Sequence, residues 1–330
     1  MESEVYNQST FLTLKAAYLY YLKNKSQNEI ADLLKVSIPT VSRLVKKAVK
    51  EKIVEFVIRD PYLSCMELEE SLRQKFGLKE VVIAPVPTSE MGDQIQTVDN
   101  MKRLVALEGA RYIQRIISED DVLGVSWGRT MYHLIHYLNP CQKVEAAFLT
   151  LHGSVSNIDN DLDVRTLVSR MAMAFGGRNY SLFTEGIMSN QQLVQTIKKE
   201  RNVKKVLEMY NYLTISVCGI GVFYPQVEST LYQSDYISDK DMDMLIKENV
   251  VADMFLRFIN RNGEECNTEL RERTLGIDID TFKSIKTKVT VAAGKSRAYS
   301  VLAALKGNLI DVLIIDYQLG KALKEIQDWP

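Results

Sequence analysis

Cysteine and histidine are scarce in this chain of 330 residues, with four of the first and three of the second. Cys65, Cys141, Cys218 and Cys266 are widely scattered and no two form a CxxC pair. That pattern argues against a disulfide framework and against a zinc site, and leaves ordinary buried thiols. Long apolar runs are missing as well. No stretch approaches the roughly 20 residues that span a bilayer, and the opening MESEVYNQ has no basic and then greasy signal region. A soluble, cytoplasmic protein with no membrane partner is expected. There is no internal repeat, no low-complexity segment and almost no net charge, since 41 Lys plus Arg stand against 42 Asp plus Glu. The balance is uneven along the chain: residues 1–60 hold 10 basic and 7 acidic side chains and carry +3, leaving −4 for residues 61–330. A chain of this length has room for two or three domains of roughly 100 to 200 residues.

Up to residue 52 the apolar spacing is helical. Leu12, Ala16, Leu19 and Leu22 mark a first helix. In SQNE, Ser26 stands where it caps and Glu29 where it reaches back, so a second helix begins near Gln27 and sets Ile30, Leu33 and Leu34 on one face. After the short turn KVS, the segment IPTVSRLVKKAVK forms a third helix with Val41, Leu44, Val45 and Val49 inward. Pro39 in its first turn costs no hydrogen bond. Residues 53–58, IVEFVI, have strand composition and suggest a small wing before Asp60-Pro61. Two short helices joined by a tight turn, the second with a basic and hydroxyl-rich outer face, fit a helix-turn-helix. The outward set is Ser37, Thr40, Ser42, Arg43, Lys46, Lys47 and Lys50. Hydroxyls and Arg near the helix start suit base edges, and Lys further along suits phosphates. The alternative is a solvated basic face on a packing helix. The complete three-helix pattern favours a DNA-binding domain over residues 1–60.

Past Pro61 the rhythm alternates. Helical patterns around 63–76, through Met101 to Ile117, from Thr130 and over 164–175 are interleaved with the short apolar runs VVIA, DVLGV, AAFLTL, YLTISVCGIGV, VTVAAG and VLIID. That alternation is the mark of an α/β fold, a doubly wound and mostly parallel sheet, over residues 61–330. In such sheets ligands sit beyond the carboxyl ends of the strands. GVSWGRT is such an end: Gly124 and Gly128 let backbone approach a ligand, and Arg129, Thr130 and Ser126 offer a charge and hydroxyls at a helix mouth. VTVAAGKSRAYS ends another strand in the same way, with Gly294, Lys295 and Arg297. LHGSVS ends a third and could add His152, Gly153 and Ser154, although His152 also fits a buried structural role. Two anion-binding loops in one domain favour a phosphorylated ligand.

These residues carry a family likeness. The chain resembles the SorC/DeoR-type sugar-binding transcriptional regulators of bacteria through NEIADLLKVSIPTVSRLVKKAVKEKIV, GVSWGRTM, RTLGIDI and AAGKSRAYSVLAALKGNLIDVLIID, and so through nearly its whole length. The resemblance implies a DNA-binding domain joined to an effector domain shaped like sugar-phosphate isomerases and deaminases. It implies a tetrameric regulator whose operator affinity changes with a phosphorylated sugar, with no other cofactor; the expected role is a repressor of carbohydrate genes, and a two-fold arrangement of recognition helices would match a palindromic operator. Where the family commonly has paired glycines in the third loop and AGG in the late one, this chain has Gly153-Ser154 and Ala292-Ala293-Gly294. The competing reading is a sugar-phosphate isomerase or deaminase, for which Asp159, Asp161, Asp163 and His152 are the candidate bases. NIDNDLDV also reads as a polar loop whose acids favour a helix start, and no catalytic residue is assigned.

Overall fold

The computed structural model describes residues 8–56, 62–85, 98–156, 159–327 and 329. The chain divides into two compact units, Met1–Arg59 and Asp60–Pro330.

The smaller unit holds α1 (Gln8–Ala17), continued by a π-helical turn at Tyr18–Leu22, then α2 (Gln27–Leu34) and α3 (Ile38–Lys50). Ser26 caps α2 by accepting the Glu29 amide at 3.3 Å, while the Glu29 carboxylate accepts the Ser26 amide at 2.9 Å. Lys35 closes α2 in the left-handed conformation, and Ser37 caps α3. Ala16, Ile30, Ala31, Val41 and Val45 form the buried core. Two expected core residues face outward instead: Leu33 is 56% exposed and Val49 38%. On these short helices Ala31 and Ala48 take the inward positions, Ala48 completing the i, i+4, i+7 row begun by Val41 and Val45. The expected wing strand does not form over residues 53–56. The Ile53 and Val54 amides bond back to the Ala48 carbonyl at 2.9 and 3.2 Å, which closes α3 and leaves the backbone irregular. Residues 57 and 58 lie outside the described residues.

The larger unit is built on a seven-stranded sheet in the order β1-β10-β9-β5-β2-β3-β4, every neighbouring pair parallel. Its strands are β1 (Glu80–Ala84), β2 (Val122–Val125), β3 (Ala147–Thr150), β4 (Arg178–Tyr180), β5 (Ile215–Cys218), β9 (Thr287–Ala292) and β10 (Val312–Asp316). A second sheet pairs β6 (Gly221–Val222), β7 (Ala252–Met254) and β8 (Arg257–Ile259) antiparallel. Helices α4 (Tyr62–Phe76), α5 (Val98–Ile116), α6 (Arg129–His136) and α7 (Val164–Phe175) come before β5. Both faces of the main sheet are buried. In β10, Val312 and Ile314 join the core that holds residues of α5, α6 and α7, while Leu313 and Ile315 join the one that holds residues of α4. That is the period-2 alternation of a strand covered on both sides. From β2 the chain winds outward through β3 to β4, then returns to place β5 on the other side of β2 and winds away through β9 and β10. The order therefore reverses between β2 and β5. Residues 212–222, read as one strand-like run, break at Gly219-Ile220, so that β5 and β6 serve different sheets.

Candidate ligand cavity

A cavity of about 90 Å³ opens at the reversal point, beyond the carboxyl ends of β2, β5 and β9, where ligands bind in doubly wound sheets. The β2 end supplies Ser126, Trp127, Gly128, Arg129 and Thr130. Gly128 has φ +113°, a conformation that disfavours any other residue, and it gives α6 an N-terminus with no side-chain cap. The amides of the first turn of α6 lack intrahelical acceptors and are left for an anion, beside the Arg129 guanidinium. Ser126 is buried, and its Oγ accepts the Gly219 amide at 3.3 Å, tying the β2 end to the β5 end.

The β9 end supplies Arg297, whose Nη1 donates to the Ala293 carbonyl at 2.7 Å. Burial lowers its pKa, against the opposing pull of Glu228, Asp316 and Asp253. Lys102 enters the wall from α5, and its ammonium is pushed below the usual lysine value by burial and then by the Arg297 and Arg129 guanidiniums. Two carboxyls complete the wall. Glu228 accepts the Ser296 hydroxyl at 2.8 Å. Asp253 on β7 is buried and accepts the Ser229 hydroxyl at 3.2 Å; burial pushes it up to about 7, opposed by that bond and by Arg297. A side chain at Gly221 would overlap the Asp253 carboxylate, so glycine there is what lets the acid face the cavity.

Of the eleven residues expected to hold the effector, Ser126, Gly128, Arg129, Thr130 and Arg297 line the cavity and six do not. Gly124 is inside β2, where an added Cβ would overlap Leu151, so it serves packing. His152, Gly153 and Ser154 follow β3, one strand beyond the reversal, and their groups are used in a seam with RTLGIDI. There the Gly153 amide donates to the Leu275 carbonyl at 3.0 Å and the Ile277 amide to the Leu151 carbonyl at 2.8 Å, while the Ser154 hydroxyl donates to Asp163 at the start of α7. Burial pushes His152 down to about 4, which leaves a neutral imidazole whose Nδ1 meets the Gly153 carbonyl at 2.7 Å. The Gly294 amide donates to the Asp316 carboxylate at 2.6 Å, and Lys295 lines a separate hollow with Tyr299 and Glu325. The candidate bases begin helices: Asp159 accepts the Asp161 amide, and Asp163 accepts the Arg165 amide that opens α7. Asp161 pairs with Arg170. Sequence reasoning missed Lys102, Glu228, Ser229 and Asp253.

On α3, Arg43, Lys46 and Lys50 are exposed, with Thr40, Ser42 and Lys47 half-buried. Ser37 Oγ lies 2.8 Å from Thr40 Oγ1, and Arg43 Nη2 donates to the same Thr40 oxygen at 3.3 Å. Lys47 stands 3.7 Å from Glu51. Among the described residues no helix is long and apolar enough to cross a membrane.

Residues 60–323 match the family model described as "Putative sugar-binding domain". The chain is 29% identical over 314 residues to the deoxyribonucleoside regulator of Bacillus subtilis (strain 168), covering 94% of this chain and 96% of that protein. It is 26% identical over 314 residues to the sorbitol operon regulator of Klebsiella pneumoniae, covering 94% and 97%. The crystal structure of the full-length sorbitol operon regulator SorC from Klebsiella pneumoniae matches with a TM-score of 0.73 at 25% identity, over 96% of this chain and 99% of that one. A family match across most of the chain, on a cavity lined by the strand ends that carry its motifs, places the chain in the SorC-type family of sugar-binding transcriptional regulators.

Proposed function

We propose that this protein is a DNA-binding repressor of carbohydrate genes, whose hold on a palindromic operator is set by a phosphorylated sugar in the cavity of the larger unit. The observation that carries this reading is the meeting of Arg129, the open N-terminus of α6 and Arg297 in one small cavity at the strand reversal. Preorganised amides and guanidiniums there suit a phosphate. The helix-turn-helix formed by α2 and α3 reads operator DNA through Thr40, Ser42 and Arg43, and Lys46 and Lys50 hold phosphates. A homotetramer with two-fold axes would set recognition helices on successive turns of a palindrome. The effector binds one conformation better than another and so shifts the population that grips the operator.

The test selects binding sites from a random duplex pool, then measures operator affinity with a panel of sugar phosphates, each beside its parent sugar. One phosphorylated compound should change the dissociation constant tenfold or more, about 1.4 kcal/mol, and be recovered unchanged. A compound consumed during the assay would make the protein an enzyme. A panel that leaves operator affinity unmoved would overturn the phosphosugar reading.

A further inference from the structure

The last helix, Tyr317–Glu325, is fastened at both ends by side chains that also hold other elements. At its start, buried Asp316 accepts the Gln318 and Leu319 amides on Oδ1 at 2.9 and 3.0 Å and the Gly294 amide on Oδ2 at 2.6 Å. Gly294 opens the turn that carries Arg297 into the cavity wall. One carboxylate thus holds both the loop at the end of β9 and the first turn of the last helix. Asp316 also acts on the Arg297 guanidinium by charge, so an anion seated on Arg297 cancels part of the field around this carboxylate. At the far end, Lys75 of α4 donates to the carbonyls of Leu323, Lys324 and Ile326 at 3.0, 2.9 and 2.7 Å. An ammonium has three N–H groups, and here all three go to carbonyls that a helix end leaves without intrahelical donors. Between these ends the two helices are keyed together. A Cβ at Gly320 would come within 2.9 Å of Leu68 on α4 and of Ile83 on β1, and Leu72, Leu319 and Leu323 share one core. Glu69 ties α4 to β1 as well, accepting the Ile83 amide at 2.8 Å. The smaller unit ends at Arg59, and α4 is the first element of the larger one.

We propose that the last helix is the rod through which the cavity and the DNA-binding unit act on each other, and that Lys75 is the positioning residue that couples this rod to α4. The proposal rests on reading the cavity as the effector site and α3 as the operator reader. A helix of nine residues is about 13 Å long and moves as a unit, so a shift of the β9 loop reaches its far end by the sliding of packed helices. Gly320 leaves no slack against Leu68, and Lys75 grips the far end. Lys75 stands outside the cavity wall, so its part is transmission and not ligand contact. Coupling between two binding events is reciprocal. If a ligand at Arg297 changes the hold on DNA along this path, DNA must change the β9 loop along the same path with no ligand present.

The experiment is hydrogen–deuterium exchange, read by mass spectrometry on the full chain with and without a saturating duplex that the protein has selected from a random pool. In wild type the duplex should change exchange by about threefold or more in peptides from α4, from the last helix and from residues 293–299. In Lys75→Met the change at α4 should persist, while the changes in the last helix and at 293–299 shrink to within experimental error. Lys75→Arg keeps the donors and should restore them. Asp316→Asn cuts the other end, so α4 and the last helix should respond and 293–299 should not. A lysine that only stabilises the fold would loosen α4 when replaced and leave the response at 293–299 intact. That result overturns the proposal, and so does a wild-type chain that binds the duplex without any change at 293–299; both leave the DNA-binding reading standing. Should Lys75→Met not fold, the pattern in Asp316→Asn decides. A wild-type chain that selects no duplex overturns the DNA-binding reading and the proposal together.

Discussion

Ionising a buried carboxyl costs several kcal/mol unless a cation stands beside it. Asp253 is 5% exposed and pairs with no cation among the described residues. Burial pushes its pKa up to about 7, well above the ordinary aspartate value of about 3.8. The folded state therefore holds this proton more tightly than the unfolded chain does, and stability falls as pH rises from about 4 to about 7. Asp253→Asn keeps the shape and removes the titration. Melting temperatures at pH 5 and pH 8 should show the variant gaining on wild type at the higher pH, by on the order of a few kcal/mol; parallel profiles would mean that Asp253 is already paired. The same residue shows why part of the cavity was hidden in the sequence. Arg129, Thr130 and Arg297 were legible because each follows a glycine at a strand end, a local pattern. Lys102 reads as a solvated position on an amphipathic helix, and Asp253 and Glu228 have no local signal. Long-range pairing alone brings them together.

At the scale of elements, capped helices were readable and short strands were not. Ser26 and Glu29 announce α2 before any contact is known, because their bonds span three residues. Strands β6, β7 and β8 have two or three residues each, too few to display alternation. The turn joining β7 to β8 hides itself further. Phe255 and Leu256 have φ of 43° and 65° there, positions where Asn or Gly would be the usual sign. Both are buried, Phe255 with its ring 4.2 Å from that of Phe282, so packing holds a conformation that local preference opposes. Asp316 joins two elements. Its Oδ1 accepts the Gln318 and Leu319 amides at 2.9 and 3.0 Å, capping the last helix, and its Oδ2 accepts the Gly294 amide. Asp316→Ala should cost about 1 to 3 kcal/mol in urea unfolding, a cap together with a stranded buried amide; a loss under about 0.5 kcal/mol would show that water replaces the carboxylate. On α3, Arg43→Ala should weaken operator binding more than binding to random duplex. Lys46→Ala should weaken both alike and flatten the salt dependence. Equal losses for Arg43→Ala on the two duplexes would refute that division.

For the whole molecule, fold class was legible and strand order was not. Apolar runs alternating with helices imply a parallel sheet, but nothing in VVIA says that its partner is VLIID. The reversal between β2 and β5 follows from that order and fixes where a ligand can sit. A ligand that binds the native state alone at about 100 times its dissociation constant adds about 2.7 kcal/mol, so the melting temperature of the full chain should rise with the effector and stay put with its parent sugar. An equal rise with both would remove phosphate from the recognition.

The pairing of β1 with β10 also bears on how the protein is made. Residues 80–84 form an edge strand whose sheet neighbour is residues 312–316. On the ribosome, β1 leaves the exit tunnel long before its partner exists, and for most of translation Val81 and Ile83 have no strand to lie against. The sheet can be nucleated from β2, β3 and β5 in the middle of the chain, but its first-made strand is among the last to be seated. A nascent chain stalled before residue 312 would expose the β9 edge and the unpaired β1 segment together, which makes late truncations of this regulator more prone to aggregate than to bind weakly.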